Sequence, residues 1–316
     1  MPAGLHPVLH RVLAARQVSA AQLQPQLTQL IPVGSLPGVQ AAAERLVIAR
    51  QRGERVLVVG DFDVDGATAT ALSISCLRAF GFAAPDFLVP DRFKYGYGLS
   101  AASAELAATR SPALLMTVDN GITSLEGVRR ARELGMEVLI TDHHLAGPVL
   151  PDEALIVNPN LPGSAFGSPA LCGVGVAFYL LAATGKRLAE IGIISADLAR
   201  DAVTDCLDLV ALGTVADLVP LDFNYRILVT EGLRRMRAGR TRPGIAALFR
   251  VAGREMEVVR SADLGFAIAP RLNAAGRLED MTIGIDCLLA ADTATAQVLA
   301  ARLDALNIER RALQQQ

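Results

Sequence analysis

The stretch Arg55–Thr68, RVLVVGDFDVDGAT, limits what this chain can fold into more than any other. Arg55–Gly60 reads as a short apolar run of mostly β-branched residues, a buried strand. Three aspartates follow on alternate positions, Asp61, Asp63 and Asp65, before Gly66 opens an alanine-rich helical stretch. One aspartate in such a turn is a good helix N-cap. Three within five residues at the end of a buried strand repel one another and must be neutralised by protons or cations. In open α/β sheets ligands bind beyond the carboxyl ends of the strands, so the stretch predicts a hard-cation site.

The pattern recurs. Ala113–Val118 reads as a buried strand delivering Asp119–Asn120–Gly121, with Thr123 and Glu126 as a capping box for a helix over Ser124–Leu134. Glu137–Ile140 is the next strand and delivers Asp142–His143–His144. Phe87–Pro90 and Ala154–Asn158 complete the predicted strands, and Ala67–Phe80 is a helix stopped by Gly81. Strands alternating with helices predict an α/β fold, a parallel sheet flanked by helices. Parallel strands put their carboxyl ends along one edge, so the acidic and imidazole clusters should converge. Asp217, within the apolar run ALGTVADLVPL, needs a partner if buried and is a further candidate ligand. His6 and His10, four apart on a predicted N-terminal helix, read as a surface pair.

Residues 1–50 form an N-terminal helical segment, with Ser19 and Gln22 as a capping box. Residues 51–225 form the sheet-bearing domain, and helices are expected at Leu171–Thr184 and Asp201–Leu212. Residues 226–292 are a helical appendage, with helices over Tyr225–Arg237 and Pro243–Val251. Residues 293–316 read as the start of a long connecting helix, truncated at QQQ without a cap. Two segments read as loops: Pro90–Ser100, carrying Arg92 and Lys94 among aromatic residues, and Ala267–Asp280, carrying Arg271, Asn273 and Arg277. Basic and aromatic residues beside an acidic cluster suit phosphate contact and base stacking.

With 52% hydrophobic and 20% charged residues the chain is globular. No apolar run is long enough to span a membrane, and no signal-peptide pattern opens the sequence. Four scattered cysteines without a C-x-x-C suit free thiols in a reducing, cytoplasmic setting. A net charge of −2 gives no overall signature of a nucleic-acid binder.

Aspartate and histidine ligands without cysteine suit Mn²⁺ or Mg²⁺ better than structural zinc. Two such ions sharing a carboxylate support in-line displacement at phosphorus. Neighbouring side chains on an extended segment diverge, so His143 and His144 are expected to take different tasks, one as ligand and the other as general acid.

GDFDVDGAT, PDRFKYGYGL, VDNGIT, TDHH, LCGVGVAF, ALGTVADLVPL and APRLNAAGR, in this order, resemble the DHH phosphoesterase superfamily. Across nearly the whole chain they are most similar to its bacterial single-strand-specific 5′→3′ DNA exonucleases. The resemblance implies a metal-dependent hydrolase of phosphodiester bonds in DNA repair and recombination. Its partners would be single-stranded DNA and a helicase or single-strand-binding protein. It further implies metal ligation by Asp63, Asp65, Asp119, His143 and Asp217, with Asp119 bridging two ions. His144 is implied as the phosphate-contacting acid, with Asp142 and Asp61 orienting ligands. Arg92, Arg271, Asn273 and Arg277 are implied along the nucleic-acid path. Such enzymes continue into a second domain with a Gly-Gly-His-type motif, and often an oligonucleotide-binding barrel. Neither pattern occurs in these 316 residues, so the resemblance implies weak DNA binding and poor cleavage. Two other readings share the motifs: a phosphoesterase for oligoribonucleotides, cyclic dinucleotides or 3′-phosphoadenosine phosphate, and a catalytically dead scaffold. The complete ligand set counts against the scaffold.

Overall fold

The computed structural model describes residues 5–315, apart from the side chain of Phe93. Helices α1 (Pro7–Ala15) and α2 (Val39–Arg52) precede β1 (Val56–Gly60) and α3 (Val64–Ala79). Next come β2 (Asp86–Leu88), the single turn α4 (Arg92–Tyr95), α5 (Ala101–Ala108) and β3 (Leu114–Val118). Then α6 (Leu125–Glu133), β4 (Glu137–Thr141) and β5 (Leu155–Val157) complete the sheet. The rest is helical: α7 (Gly173–Glu190), α8 (Ala196–Thr204), α9 (Leu207–Ala216), α10 (Phe223–Arg237) and α11 (Pro243–Val251). The short α12 (Ser261–Asp263), then α13 (Ala269–Leu278), α14 (Thr282–Leu289) and α15 (Thr293–Gln314) close the described chain.

All strand pairs are parallel, in the order β2-β1-β3-β4-β5. The chain leaves β1 in opposite directions along the sheet, to β2 on one side and β3 on the other. The crevice between β1 and β3 is therefore the topological switch point, where doubly wound sheets bind ligands. Strand side chains alternate between two buried layers. Val56, Val58, Met116 and Leu139 face the layer built by α2, α3 and α7, while Leu57, Val59, Leu115 and Ile140 face α5 and α6. The α/β expectation holds. The larger layer runs without interruption from Leu36 through α9 and α10 to Leu306 on α15, so the C-terminal helices share one core with the sheet.

Several local expectations are corrected. Asp201–Leu212 is two helices, α8 and α9, divided at Asp205–Cys206. In the first turn of α9 the buried Asp208 carboxylate accepts hydrogen bonds from Thr241 Oγ1 (2.8 Å) and from the backbone and guanidinium of Arg242. The Thr123–Glu126 capping box does not form. The residue preceding α6 is Ser124, whose hydroxyl instead accepts from Leu99 N at 3.1 Å. The Ser19–Gln22 capping box, by contrast, is present, on a one-turn 3₁₀ segment over Ala20–Leu23, with Gln22 Oε1 accepting from Ser19 N at 3.1 Å. His6 is the N-cap of α1, its ring Nδ1 accepting from Val8 N.

The segment Ala267–Asp280 is not a loop: a π-helical turn, Leu264–Ile268, runs into α13. Pro270 lies in the first turn of α13, the part of a helix that tolerates proline best. Gly276 is there for proximity, since a Cβ at that position would lie 2.0 Å from the carbonyl oxygen of Phe62. Helix α13 is thus seated directly on the Asp-rich turn, and Asn273 Oδ1 accepts from Val64 N at 3.2 Å. Gly276→Ala is expected to lower unfolding stability by about 1–3 kcal/mol through overpacking. An unchanged urea midpoint would show that α13 is not pressed against this turn.

Candidate metal centre

Each strand end contributes through a specific backbone device. After β1, Asp61 is buried and its Oδ1 accepts from Phe62 N (2.8 Å). Asp63 is the N-cap of α3, accepting from Gly66 N at 3.0 Å. Asp65, in the first turn of α3, is 1% exposed and accepts from Gly173 N (2.6 Å) and Val174 N (2.9 Å) at the start of α7. The positive ends of α3 and α7 therefore both face these carboxylates.

After β3, Asp119 takes a left-handed backbone conformation, φ 64°, which non-glycine residues rarely adopt. Asn120 and Thr117 hold the bend: Asn120 Nδ2 donates to Val59 O and Val118 O, and Thr117 Oγ1 donates to Asn120 O. Gly173 lies so close that a Cβ there would be 2.5 Å from Asp119 Oδ1. After β4, Asp142 Oδ1 accepts from His143 N (2.7 Å), His144 N (3.1 Å) and His144 Nδ1 (2.7 Å), while Oδ2 accepts from Ile122 N (2.9 Å). Asp217 is the C-cap of α9.

These elements converge. His143 Nε2 lies 3.1 Å from Asp119 Oδ1, 3.8 Å from Asp217 Oδ2 and 3.9 Å from Asp65 Oδ2. Ligand atoms of three trios lie mutually within 4.8 Å: Asp119, His143 and His144; Asp65, Cys172 and Asp217; Asp61, Asp63 and Asp119. Asp119 belongs to two of them, as a bridging carboxylate would.

The electrostatics show what such a cluster requires. Burial, and then neighbouring carboxylates, push Asp61 up to about 7 and Asp65 to about 8. The same causes bring Asp217 to about 6 and hold Asp119 well above the usual carboxyl range. Burial, followed by the charge of His144, lowers His143 to about 4, so its ring is neutral. Asp119 Oδ1 and Asp217 Oδ2 are buried without a hydrogen-bond partner. A neutral imidazole nitrogen facing unpartnered carboxylate oxygens is a set of lone pairs suited to a cation. These residues fit a divalent metal centre. Cys172, which shares a trio with Asp65 and Asp217, has its thiol raised well above the ordinary value by burial, with Thr214 Oγ1 3.6 Å from the sulfur.

The histidines do not diverge as expected: their ring centroids are 4.4 Å apart. β4 ends at Thr141, and the Asp142 carboxylate just beyond it gathers both histidine N–H groups. Their protonation nevertheless separates them. The Asp142 hydrogen bond raises His144. Asp142, despite burial that would raise it, is held low by the hydrogen bond and charge of His144.

Tyr97 is a neighbour that sequence reasoning did not single out. Its hydroxyl is 3.4 Å from His144 Nε2, and its ring meets Phe62 edge-on at 6.0 Å. The Arg92 guanidinium lies 4.4 Å over the Phe62 ring. Arg277 is exposed at the end of α13. Arg271 is engaged elsewhere, donating to Asp304 Oδ1 (2.8 Å) on α15 and to Ala267 O. Asn273 caps the start of α3, as described above.

The Asp–His cluster thus sits at the switch point of a doubly wound sheet, where such folds bind their ligands. The DHH family, N-terminal domain, matches residues 55–214, and the chain belongs to that family. Similar curated proteins are the single-stranded-DNA-specific exonucleases RecJ. That of Escherichia coli is 50% identical over all of this chain and 55% of its own length. That of Thermus thermophilus is 37% identical over 90% of this chain and 40% of its own. The chain thus spans about half the length of the curated relatives it matches. Among solved structures, exonuclease RecJ bound to manganese superposes with TM-score 0.79 at 35% identity, over 90% of this chain and 69% of that one. Thermus thermophilus RecJ in complex with Mn²⁺ gives 0.77 at 32% identity, over 98% and 45%. A Mg²⁺ complex of the same protein gives 0.68 at 30%, over 98% and 42%.

In chelator, the raised carboxyls favour the folded state while protonated. That contribution is complete below about pH 4, the ordinary carboxyl range. It is lost as pH climbs through about 6, 7 and 8, the values for Asp217, Asp61 and Asp65. Mn²⁺ should remove the loss, so the gap in thermal midpoint between Mn²⁺ and chelator is expected to widen from about pH 5 to about pH 8. A gap independent of pH would contradict this electrostatic account.

Proposed function

We propose that this chain is the catalytic portion of a two-metal exonuclease that removes nucleotides from the 5′ end of single-stranded DNA, in repair and recombination. The observation that carries the reading is His143 Nε2 set among Asp65, Asp119 and Asp217 with buried carboxylate oxygens left unpartnered. Asp63, Asp65, Asp119, His143 and Asp217 would hold Mn²⁺ or Mg²⁺, with Asp61 beside them. When bound, the ions supply charge neutralisation at the phosphoryl oxygens and an activated water for in-line displacement.

The protein's own groups do the rest. His144, whose hold on a proton the Asp142 hydrogen bond strengthens, stands beside the cluster as the acid that protonates the departing sugar oxygen. Asp142 Oδ1 engages Nδ1, which leaves Nε2 as the ring nitrogen for proton transfer. Tyr97, 52% exposed, and Phe62 with Arg92 stacked on it offer faces for bases next to the phosphate site. Arg277 adds positive charge along that side. Asn273 acts through the turn it caps, and Arg271 by fixing α13 to α15. A helicase or single-strand-binding protein would supply the single-stranded substrate. All four cysteines are free thiols, which suits the cytoplasm, and no described helix is long and apolar enough to cross a membrane.

The test uses a 5′-phosphorylated single-stranded oligonucleotide labelled at its 3′ end, with Mn²⁺. Stepwise shortening from the 5′ end is expected, abolished by chelator and by Asp119→Asn. His144→Gln should lower kcat by about 10²–10⁴-fold, the usual loss of a general acid, while calorimetry still detects Mn²⁺ binding. Cleavage of dinucleotides with no shortening of the oligonucleotide would overturn the DNA reading in favour of a small-substrate phosphoesterase.

A further inference from the structure

The His143–His144 dipeptide lies beyond the end of β4, outside the ladder that fixes the strand. Asp142 N still donates to Val157 O (3.1 Å), but the two residues after it have no strand partner for their carbonyls. Two asparagines beyond β5 meet them. Asn158 Nδ2 donates to His144 O at 3.0 Å, and Asn160 Nδ2 donates to His143 O at 2.6 Å. The two asparagines are braced on each other, since Asn158 Oδ1 accepts from Asn160 N at 2.7 Å. That is an Asx turn, and Pro159 between them restrains Asn158 to extended geometry. Asn158 is fully buried.

The dipeptide is therefore gripped on both sides. The Asp142 carboxylate takes its two N–H groups, and the two asparagine amides take its two carbonyls. Asparagine suits this bracket because one side chain carries both the donor for a histidine carbonyl and the acceptor for the turn; aspartate would lack the donor. The bracket fixes the dipeptide backbone from which both rings project into the cluster.

We propose that Asn158 and Asn160 are positioning residues that hold His143 and His144 at the metal centre, acting through the two histidine carbonyls. The inference rests on the metal-centre reading above and extends it to a part of the chain with no ligand of its own.

Asn158→Ala, Asn160→Ala and Asn160→Gln are compared with wild type by Mn²⁺ titration calorimetry and by oligonucleotide kinetics. Loss of a group that orients a ligand typically weakens metal binding by about 10–100-fold. Both alanine variants are expected to show that loss, with kcat reduced and KM for the oligonucleotide unchanged. Asn160→Gln, which keeps an amide donor, should regain part of both. Should Asn158→Ala fail to fold, Asn160→Ala decides, because its side chain is only partly buried. Alanine variants that bind Mn²⁺ like wild type would overturn the proposal. Wild type that binds Mn²⁺ without degrading DNA would count against the exonuclease reading for this chain alone, while the calorimetric affinities still judge the bracket. Wild type that binds no Mn²⁺ would sink both.

Discussion

Mutual repulsion among buried carboxylates is the constraint on which the architecture depends. Asp61, Asp65 and Asp119 are each less than a tenth exposed, and Asp63 and Asp217 stand beside them. Such a cluster persists only if its backbone cannot relax away. The fold meets that demand with close approaches: Gly173 against Asp119, Gly66 against Asp61, and Gly276 against the carbonyl of Phe62. It meets it also with oriented helices, since α3 and α7 direct their N-terminal N–H groups at Asp63 and Asp65. Side chains that would otherwise separate are held together, at a protonation cost that a cation relieves.

The continuous core gives this rigidity reach. Helices from α7 to α15 pack into the layer that covers one face of the sheet. Asp217 comes from α9 and the cap on α3 comes from α13, so two elements remote in sequence from the sheet complete or brace its edge. Loosening α13 from α15, for instance at the Arg271–Asp304 pair, would be felt at the N-terminus of α3.

Much of this was legible in the chain because the decisive signals are local. An apolar run followed by aspartates marks a strand end whatever surrounds it, and three such ends in a parallel sheet must share an edge; Asp61, Asp63, Asp65, Asp119 and His143 follow from that. What stayed hidden depends on contacts distant in sequence. Gly276 and Asn273 read as loop residues because only the seating of α13 on Phe62 and Val64 shows why a helix carries them. The approach of the two histidine rings was invisible because the Asp142 side chain, not strand periodicity, sets the path there. Asn158 reads as the last residue of a strand, and Asn160 lies just beyond it. The signal that marks them is the one used elsewhere, a polar pair at the end of a strand in the same sheet. Tyr97 had only an aromatic-rich loop to announce it.

Asp119 is held in the left-handed backbone region, where glycine and asparagine are the replacements that sit without strain and most other side chains cost about 1–2 kcal/mol. From an aspartate codon, both glycine and asparagine are one nucleotide change away. The position most central to the metal cluster is therefore also one where chemistry can be erased while the turn survives. Either replacement would remove the carboxylate and spare the turn, whereas a side chain added at Gly173 or Gly276 would strain the fold itself.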